Sequence, residues 1–416
     1  MTFDPIVGAR SGGWAFFLAK NLRWLGAGFL LCFFSSFGQT FFISLSGGAI
    51  RGELGLSNGT FGLLYMLATL ASAATLPIVG RVLDRFATRM VAAGTILCLA
   101  LATALLAHAT AVWMLVLAFY LLRLFGQGMM LQTAFTATGR WFSAQRGRAV
   151  SVVSLGNQAG EAVLPLLFVL GVGLVGWRTS WLVATALLVV LALPVIAALT
   201  GRERDPLSEP PNPRHAALRH WTLHEVLRDP VFYPVCLATL AAPFIVSAVL
   251  FHQSYLGELR GWPPALFATG FTVMSAVTVA STLLGGWIVD RFTARRILPL
   301  FLVPLMMGCL VLAWFESEAA LFGFMVLVGL SNGLSSTLLG ALWPELYGTR
   351  HLGAIRSLVF PVFVLASAVG PGMTGLLLDR GVSYPAQLVA MAAYCAAAVA
   401  VMALIAPAMT RRARGS

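Results

Sequence analysis

Long apolar runs separated by short polar breaks form the dominant pattern along this 416-residue chain. A helix that crosses a bilayer needs about 20 mostly apolar residues, because it rises about 1.5 Å per residue through a hydrocarbon core about 30 Å thick. Twelve runs are long enough, which predicts an all-α membrane protein with twelve transmembrane helices. We number these spans 1 to 12, at residues 24–47, 58–79, 90–109, 111–136, 149–172, 178–199, 230–255, 263–287, 297–315, 319–343, 357–378 and 385–408.

One long polar stretch divides the spans into two groups of six. It covers residues 201–228 and contains several prolines and charged residues. Thr222 and Glu225 have the spacing of a capping box, which predicts a short surface helix at the end of this linker. We therefore expect an N-terminal six-helix bundle at residues 1–200 and a C-terminal six-helix bundle at residues 229–416.

The composition favours a membrane protein and argues against binding to nucleic acid. Hydrophobic residues make up 59% of the chain, charged residues make up 10%, and the mean hydropathy is +0.88. That is too little charge to cover a soluble protein of this length. The net charge is +12, but most Arg and Lys residues fall in loops on one face, as the positive-inside rule requires of the cytoplasmic face. We expect a monomeric, multi-pass protein of the bacterial inner membrane with both termini in the cytoplasm.

A ten-residue pattern occurs twice, each time where an apolar run stops and a short basic loop begins. The first decamer covers residues 80–89 and the second covers residues 286–295, so matched positions lie 206 residues apart. Both have the order Gly-x-x-x-Asp-Arg-x-x-x-Arg. A glycine near a helix end lets another chain segment approach closely, and an aspartate can accept hydrogen bonds from the N-terminus of a neighbouring helix. The repeat predicts that the two bundles are structurally equivalent.

This pattern, between the second and third spans of each half, resembles the signature loop of the major facilitator superfamily of membrane transporters. The resemblance implies two pseudo-symmetric six-helix bundles, a substrate site between them near the midplane, and secondary transport by alternating access. The bland alternative is a basic anchor that only ends a helix, and the presence of two matched copies favours a gate. The resemblance assigns a cytoplasmic gate to Gly80, Asp84, Arg85, Arg89, Gly286, Asp290, Arg291 and Arg295.

Two charged residues lie deep inside predicted spans, Arg123 in span 4 and Glu161 in span 5. A charge at that depth costs at least about 2.5–3.5 kcal/mol on insertion scales, so it should face a partner or a wet cavity. One hypothesis is a relay, in which Arg123 binds a carboxylate of the substrate and Glu161 takes up and releases a proton. The alternative is a permanent Arg123–Glu161 ion pair that holds spans 4 and 5 together.

Uncharged polar residues at helical spacing are further candidates for lining a cavity. Helix–helix packing is the alternative role for each of them. His252, near the end of span 7, is a candidate for proton coupling because histidine titrates near neutral pH, and its alternative is a histidine at the membrane interface. The candidates for substrate binding are Arg123, Gln127, Gln39, Asn157 and Asn332.

The segment that follows span 10, residues 343–356, resembles bacterial members of the superfamily near the monocarboxylate and oxalate carriers. With Arg123 as the one deeply placed cation, this leads to our first hypothesis, proton-coupled symport of a small organic anion such as a monocarboxylate. The alternative is a proton-coupled antiporter that exports drugs or other lipophilic compounds. A third possibility is a sensor or scaffold built on the same fold.

Enzyme motifs are absent from the sequence. It has no Gly-x-x-x-x-Gly-Lys-Ser/Thr phosphate loop, no Gly-x-Ser-x-Gly element and no His-Glu-x-x-His site. The five cysteines lie singly in apolar runs and form no close-spaced pair. We therefore expect no catalysis, no cofactor and no metal. The expected partners are a small-molecule substrate, protons and the lipid bilayer.

Overall fold

A computed structural model describes residues 14–142, 145–202, 221–348 and 352–414. These residues form helices and turns, and no strand occurs among them, which confirms the all-α prediction. We call residues 14–202 the N-terminal half and residues 221–414 the C-terminal half. The helices of the N-terminal half are Trp14–Phe34, Ser35–Gly38, Thr40–Ile43, Ser44–Ser46, Gly47–Leu54, Asn58–Val79, Val82–Arg85, Thr88–Ala107, Val112–Leu121, Leu122–Met130, Leu131–Trp141, Arg146–Ala186, Leu187–Ala192 and Leu193–Leu199.

The C-terminal half repeats this arrangement of long helices joined by short turns. Its helices are Leu223–Leu227, Phe232–Thr239, Ala241–Phe251, Gln253–Arg260, Pro264–Phe292, Ala294–Ile297, Leu298–Leu300, Val303–Trp314, Glu318–Tyr347, Leu352–Asp379 and Tyr384–Arg414. The predicted capping box is present, because Thr222 accepts a hydrogen bond from the Glu225 backbone and the Glu225 carboxylate accepts one from the Thr222 backbone. Residues 203–220 of the predicted linker lie outside the described residues, and the predicted boundaries of the two bundles stay a prediction.

Eleven helical segments of the described chain are long and apolar enough to cross a bilayer, and one of them contains two spans. That segment, Gly147–Leu199, has 53 residues and would be about 80 Å long if straight, far more than one crossing needs. The chain turns at Gly176, where φ is 81°. The ring centres of Phe168 and Trp181 then lie 5.2 Å apart across the turn. Twelve crossings follow, in agreement with the prediction from sequence.

Span 1 is broken, although the sequence predicted one continuous run over residues 24–47. Its first helix begins earlier, at Trp14, and ends at Phe34. Gln39 is then extended, with ψ at 151°, before short helical turns resume at Thr40. The break leaves the Gly38 carbonyl without a helical partner, so a side chain from elsewhere must satisfy it. This is the position where the candidate functional site forms.

The two halves pack against each other along span 2 with span 11, and along span 5 with span 8. We call the end of the bundle that carries both decamers the decamer face and the opposite end the distal face. Span 2 approaches span 11 at Gly62, where a Cβ atom would lie 2.6 Å from the Pro371 carbonyl oxygen. A side chain at this position would therefore force the halves apart.

Hydrogen bonds between the halves close the distal face. Arg51 forms an ion pair with Glu258 at 3.0 Å. The Asp379 carboxylate accepts hydrogen bonds from the Ser57 hydroxyl at 2.6 Å and from the Gly59 backbone N–H at 3.0 Å, both at the start of span 2. Asp379 thus places a negative charge at the N-terminus of a helix in the other half, where the helix dipole stabilises it.

A second set of contacts joins the broken segment of span 1 to the end of span 7. The side-chain amide of Gln253 donates to the Phe41 carbonyl at 2.8 Å and to the Ser44 hydroxyl at 2.6 Å. The Ser44 hydroxyl donates in turn to the Leu250 carbonyl at 2.8 Å. The distal ends of spans 1 and 7 are therefore held together by the Ser44 and Gln253 side chains and the Phe41 and Leu250 carbonyls.

Candidate functional site

Arg123 is buried in the N-terminal half, with 2% of its surface exposed. Its Nη1 atom donates to the Gly38 carbonyl and to the Thr40 hydroxyl, each at 3.3 Å. Its guanidinium also lies 5.5 Å from the centre of the Tyr65 ring, and the Tyr65 hydroxyl is hydrogen-bonded to Thr40 at 2.7 Å. Arg123 therefore fills the gap in span 1, as the break in the helix requires.

Two glycines allow Arg123 to reach this position. A Cβ atom at Gly126 would lie 2.5 Å from the Gly38 Cα atom, and a Cβ atom at Gly38 would collide with the Leu122 carbonyl. Spans 1 and 4 therefore meet backbone to backbone, directly beside Arg123. Span 4 widens into a π-helical segment at Leu122–Met130, a feature that often marks functional sites.

Arg123 is only partly satisfied. Hydrogen bonds from N–H to oxygen are usually about 2.7–3.2 Å long, so its two bonds to neutral oxygens are long. Its Nε atom is buried and has no hydrogen-bond partner. Within the described part of the chain, no carboxylate lies within ion-pair distance of the guanidinium. Arg123 thus retains hydrogen-bonding capacity for an anionic group.

Glu161 lies where the two halves meet, with 9% of its surface exposed. Its carboxylate accepts a hydrogen bond from the Ser275 hydroxyl of span 8 at 3.4 Å. One residue on, the Ala162 carbonyl accepts a hydrogen bond from the Thr272 hydroxyl at 2.7 Å. The only deeply buried carboxylate predicted from sequence is therefore in contact with the opposite half.

The suggested Arg123–Glu161 ion pair is wrong in this structure. Arg123 bonds to the break in span 1, whereas Glu161 bonds to span 8 of the other half. Similar depth in neighbouring helices did not bring the side chains together, because the two residues point in different directions. A permanent bridge between spans 4 and 5 is excluded for this conformation.

The predicted polar residues are distributed over several spans. Gln39 and Gln127 lie at the contact of spans 1 and 4, and both are half-buried. Asn157 lies one turn before Glu161, and its Oδ1 atom is buried without a partner, as is the Ser36 hydroxyl across span 1. No hydrogen bond of the described residues joins Asn332 to the other candidates. Gln39 therefore lies in the break of span 1, Gln127 and Asn157 lie on spans 4 and 5 that pack against span 1, and Asn332 stays a separate prediction.

His252 ends the Ala241–Phe251 helix and is buried. Its Nε2 atom lies 2.9 Å from the Pro371 carbonyl in span 11, within hydrogen-bond distance. This contact is internal to the C-terminal half and lies next to Gln253, which joins the two halves. The structure therefore places His252 at the distal closure, and its role in proton coupling stays a prediction.

The first decamer is held to its own half. The Asp84 carboxylate accepts from Arg140 at the end of span 4, at 2.7 Å, and Arg140 also donates to the Leu83 carbonyl at 2.6 Å. Arg85 and Arg89 are exposed. Thus the partner of Asp84 is Arg140, an arginine outside the decamer.

The second decamer is held in a corresponding way, with the charges exchanged. Arg295 pairs with Glu345 of span 10 at 3.4 Å, and Glu345 also accepts from the Ala294 backbone N–H at 3.1 Å. Arg291 lies over the Trp287 ring at 5.7 Å. The Asp290 side chain lies outside the described part of the structure. Gly286 has open space around it, with nothing within 4 Å of a Cβ atom placed there.

Comparison with known proteins agrees with this architecture. The family model described as Major Facilitator Superfamily matches residues 28–371, which is most of the chain. The chain belongs to the Major Facilitator Superfamily. The prediction from the decamers is therefore confirmed, and the protein is a member of a family of membrane transporters.

Individual superfamily members resemble the chain more distantly. The Fujikurins efflux protein of Gibberella fujikuroi is 22% identical over 313 residues, 73% of this chain and 64% of that protein. The Phosphoglycerate transporter protein of Salmonella typhimurium is 22% identical over 367 residues, 81% and 79% of the two chains. A bacterial homologue of the human lysosomal transporter Spinster, solved in an inward-facing and occupied conformation, superposes with a TM-score of 0.67 at 16% identity, over 97% of this chain and 98% of that one. The last likeness shows the fold.

The sequence analysis missed several residues of this chain that contact the candidate gate and site residues. Arg140 and Ser275 were not singled out, because nothing local in the sequence marks an exposed arginine at a helix end or a serine within a span. Gln132 was also missed, although it packs against Gly80, where a Cβ atom would lie 2.7 Å from its amide nitrogen. The internal repeat held one usable signal, because residues 126–128 of span 4 (Gly-Gln-Gly) match residues 331–333 of span 10 (Ser-Asn-Gly) at an offset of 205, and the same offset relates Arg140 to Glu345.

Proposed function

We propose that the protein is a proton-coupled carrier of a small organic anion that works by alternating access. The observation that carries this proposal is the position of Glu161, a buried carboxylate of one half that bonds to Ser275 of the other. A group at this interface is affected directly when the halves separate. Intramembrane carboxylates with such placement commonly take part in proton relays.

The anion site is proposed at the break in span 1, between Arg123 and the neighbouring amides. Arg123 has no acidic partner in the described chain, and its two bonds to neutral oxygens are long. A carboxylate that replaces the Gly38 carbonyl would form shorter, charge-assisted and bidentate hydrogen bonds. Unpartnered polar atoms of Ser36 and Asn157 lie around the same span and offer further contacts.

Proton coupling follows from the cost of burying an ionised group. Protonated Glu161 is neutral, so it remains buried against Ser275 at little cost. The ionised carboxylate loses much more hydration there and is favoured when the halves separate and water enters. We therefore propose that proton release at Glu161 accompanies separation of spans 5 and 8. We also propose that the decamer face is cytoplasmic, because it carries most of the Arg and Lys residues.

The experiment is proton flux in liposomes that contain the purified protein and a pH-sensitive dye. We expect small monocarboxylates to acidify the lumen faster than in protein-free liposomes, which report the diffusion of undissociated acid. Glu161→Gln should abolish proton flux but keep anion exchange, since the neutral side chain mimics the protonated state. Glu318→Gln, at an exposed position, is the matched control. Wild-type proton flux in Glu161→Gln would reject the proposed coupling.

A second variant tests the anion site without relying on Arg123→Ala, which removes the side chain that fills span 1. Arg123→Lys keeps the charge and loses the planar fork. We expect a higher KM for the monocarboxylate and a smaller change in maximal rate. The substitution weakens binding of the anion more than it slows the conformational change between the two states of the carrier. An unchanged KM would reject Arg123 as the anion-binding group.

Export of lipophilic cations is the second candidate, and one contact favours it. Phe41 of the N-terminal half and Phe271 of the C-terminal half lie 5.2 Å apart, next to the Thr272–Ala162 contact beside Glu161. An aromatic surface near a carboxylate suits a lipophilic cation. In the same liposomes, such cations would then alkalinise an acid-loaded lumen, whereas the anion carrier leaves it unchanged.

A further inference from the structure

Tyr65 contacts both the proposed anion site and the opposite half. It lies in span 2 and is fully buried. Its hydroxyl shares a hydrogen bond of 2.7 Å with the Thr40 hydroxyl, and the Arg123 guanidinium lies 5.5 Å from the centre of its ring. The centre of the same ring lies 4.4 Å from that of the Phe251 ring in span 7. One side chain therefore links the buried cation of the N-terminal half to an aromatic residue of the C-terminal half.

Phe251 belongs to the distal closure. It is the last residue of a helix in span 7, and its side chain is buried. A second ring of span 2, that of Phe61, stacks on it with 5.1 Å between the ring centres. Two residues further on, the Gln253 amide donates to the Phe41 carbonyl of span 1. Because spans 2 and 7 belong to different halves, separation of the distal ends breaks the contact between Tyr65 and Phe251.

The Thr40 hydroxyl is shared by Tyr65 and Arg123. Arg123 donates to it at 3.3 Å, and Tyr65 is bonded to it at 2.7 Å. A carboxylate bound to the guanidinium would replace the long bond to Thr40 with a shorter, charge-assisted one. It would also neutralise the charge that attracts the face of the Tyr65 ring. Binding of an anion therefore alters both polar groups that Tyr65 contacts in its own half.

The enclosure of Arg123 gives the direction of this effect. The side chain is buried, so an anion reaches it only after neighbouring side chains have moved. Tyr65 lies at the guanidinium and is also packed against the other half, so its surroundings change when the halves separate. A ligand that binds one state of a protein more tightly shifts the population towards that state. We therefore expect the anion to favour the state in which Tyr65 and Phe251 are apart.

We propose that Tyr65 is a positioning residue that couples anion binding at Arg123 to opening of the distal face. This inference rests on the proposed anion site. In the closed state, Thr40 and the guanidinium hold the Tyr65 ring against Phe251. When an anion takes the guanidinium, the ring is released and the distal contact weakens. Linkage requires the reverse as well, so opening of the distal face strengthens anion binding by the factor by which the anion favours opening.

Two measurements on the purified full-length protein test the coupling. Spin labels at the exposed distal residues Thr110 and Ser317 report the ratio of distal-open to distal-closed protein, and calorimetry reports the binding of propionate, lactate and pyruvate. We expect a saturating monocarboxylate to raise this ratio about fivefold or more in the wild type. Tyr65→Phe keeps the ring but loses the bond to Thr40, so it should bind the anion and lose most of the response. Tyr120→Phe, which removes a hydroxyl that donates to Thr75 at 3.2 Å within the N-terminal half, is the matched control and should respond as the wild type does.

Phe251→Leu tests the same link from the other half. It removes the ring from the contact with Tyr65 and keeps an apolar side chain. We expect a higher distal-open ratio without anion and tighter anion binding, whereas a purely structural loss of packing does not strengthen binding. The matched control is Phe324→Leu, which removes a buried ring that packs against Gly308 within the C-terminal half. Its affinity for the anion should equal that of the wild type.

The outcomes separate this inference from the proposed function. If the wild-type protein binds none of the three monocarboxylates, the proposed anion site is wrong and the coupling is rejected with it. If the wild type and Tyr65→Phe both bind the anion and open equally, the anion site stands and the coupling through Tyr65 is overturned. The same holds if Phe251→Leu opens the distal face without tighter binding.

Discussion

Arg140 and Glu345 occupy equivalent positions 205 residues apart, and each holds the decamer of its own half through an ion pair of opposite polarity. In the N-terminal half the decamer supplies the acid, Asp84, and span 4 supplies the base. In the C-terminal half the decamer supplies the base, Arg295, and span 10 supplies the acid. The duplicated architecture has thus kept an ion pair between this position of the span and the decamer, but the two pairs use different decamer positions, because Asp84 corresponds to Asp290 and Arg295 corresponds to Arg89.

These ion pairs should stabilise each decamer locally. Both members of the Arg140–Asp84 pair are substantially exposed, so the expected contribution is only about 0.2–1 kcal/mol. We predict that Arg140→Ala increases amide hydrogen exchange across residues 80–89 by up to about fivefold and leaves residues 286–295 unchanged. Glu345→Ala should increase exchange across residues 286–295 and leave residues 80–89 unchanged. Equal changes in both decamers after either substitution would contradict the local role of the pairs.

The two decamer glycines should respond differently to alanine. A Cβ atom at Gly80 would press on the Gln132 amide, whereas one at Gly286 would meet nothing within 4 Å. Overpacking typically costs about 1–3 kcal/mol, and alanine in an open helical position gains about 0.5–1 kcal/mol. We predict a lower melting temperature for Gly80→Ala and an equal or higher one for Gly286→Ala.

A double variant shows whether the contact with Gln132 causes the effect of Gly80→Ala. Gln132→Ala removes the amide that the new Cβ atom would meet, so Gly80→Ala/Gln132→Ala should be more stable than the sum of its single variants predicts. Thermal unfolding in detergent provides the measurement. Simple additivity of the two single changes would show that backbone conformation, and not Gln132, limits position 80.

Much of the fold was accessible from sequence because its signals are local. Span length depends on runs of apolar residues, and the decamers record the duplication directly. The break in span 1 was not predicted, because the polar residues Ser35, Ser36, Gln39 and Thr40 are equally typical of an unbroken helix that lines a cavity.

The partners of the buried charges could not be predicted for a related reason. Depth along a span can be counted from sequence, but the direction of a side chain depends on how helices are rotated and packed. Arg123 faces the break in span 1 and Glu161 faces span 8, so residues at similar depth have no contact. The burial of both residues agrees with the sequence analysis, while their neighbours emerged only from the packing.

The distal helix Gly47–Leu54 should depend on pH through Glu53. The Trp177 indole N–H donates to Glu53 at 2.7 Å and Arg178 donates at 2.6 Å, and these bonds hold the pKa of the Glu53 carboxyl below its ordinary value. A depressed pKa stabilises the folded state above the ordinary pKa of about 4.3, and the stabilisation is lost as the pH falls through the lower folded value.

We therefore predict that Glu53→Gln lowers the melting temperature by about 1–3 °C near neutral pH, a small effect because the pair is partly exposed. The difference from wild type should shrink below about pH 4.3. Glu318→Gln, at the exposed first residue of the Glu318–Tyr347 helix, is the control, because Glu318 has no ion pair in the described chain, and it should show no such convergence. A difference that stays constant down to acid pH would show that the Glu53 contacts do not favour the ionised carboxylate.

Closure of the distal face should depend on Asp379 and on the absence of a side chain at Gly59. Asp379 bonds to Ser57 and to the Gly59 backbone, and a Cβ atom at Gly59 would collide with the Asp379 carboxylate. Hydrogen bonds to a charged group contribute about 1.5–3 kcal/mol. Asp379→Ala and Gly59→Ala should both weaken the same contact, one by removing the acceptor and the other by displacing it.

Spin labels on exposed distal residues of the two halves, Thr110 and Ser317, would measure this closure. We predict that both substitutions increase the population with a long interlabel distance by at least about tenfold. Gly52→Ala is the matched control, because a Cβ atom there meets nothing within 4 Å. If Asp379→Ala gave the same distances as Gly52→Ala, Arg51–Glu258 and Ser44–Gln253 would be sufficient to keep the face closed. A shift in Asp379→Ala alone would instead mean that span 2 tolerates the methyl group by moving without opening.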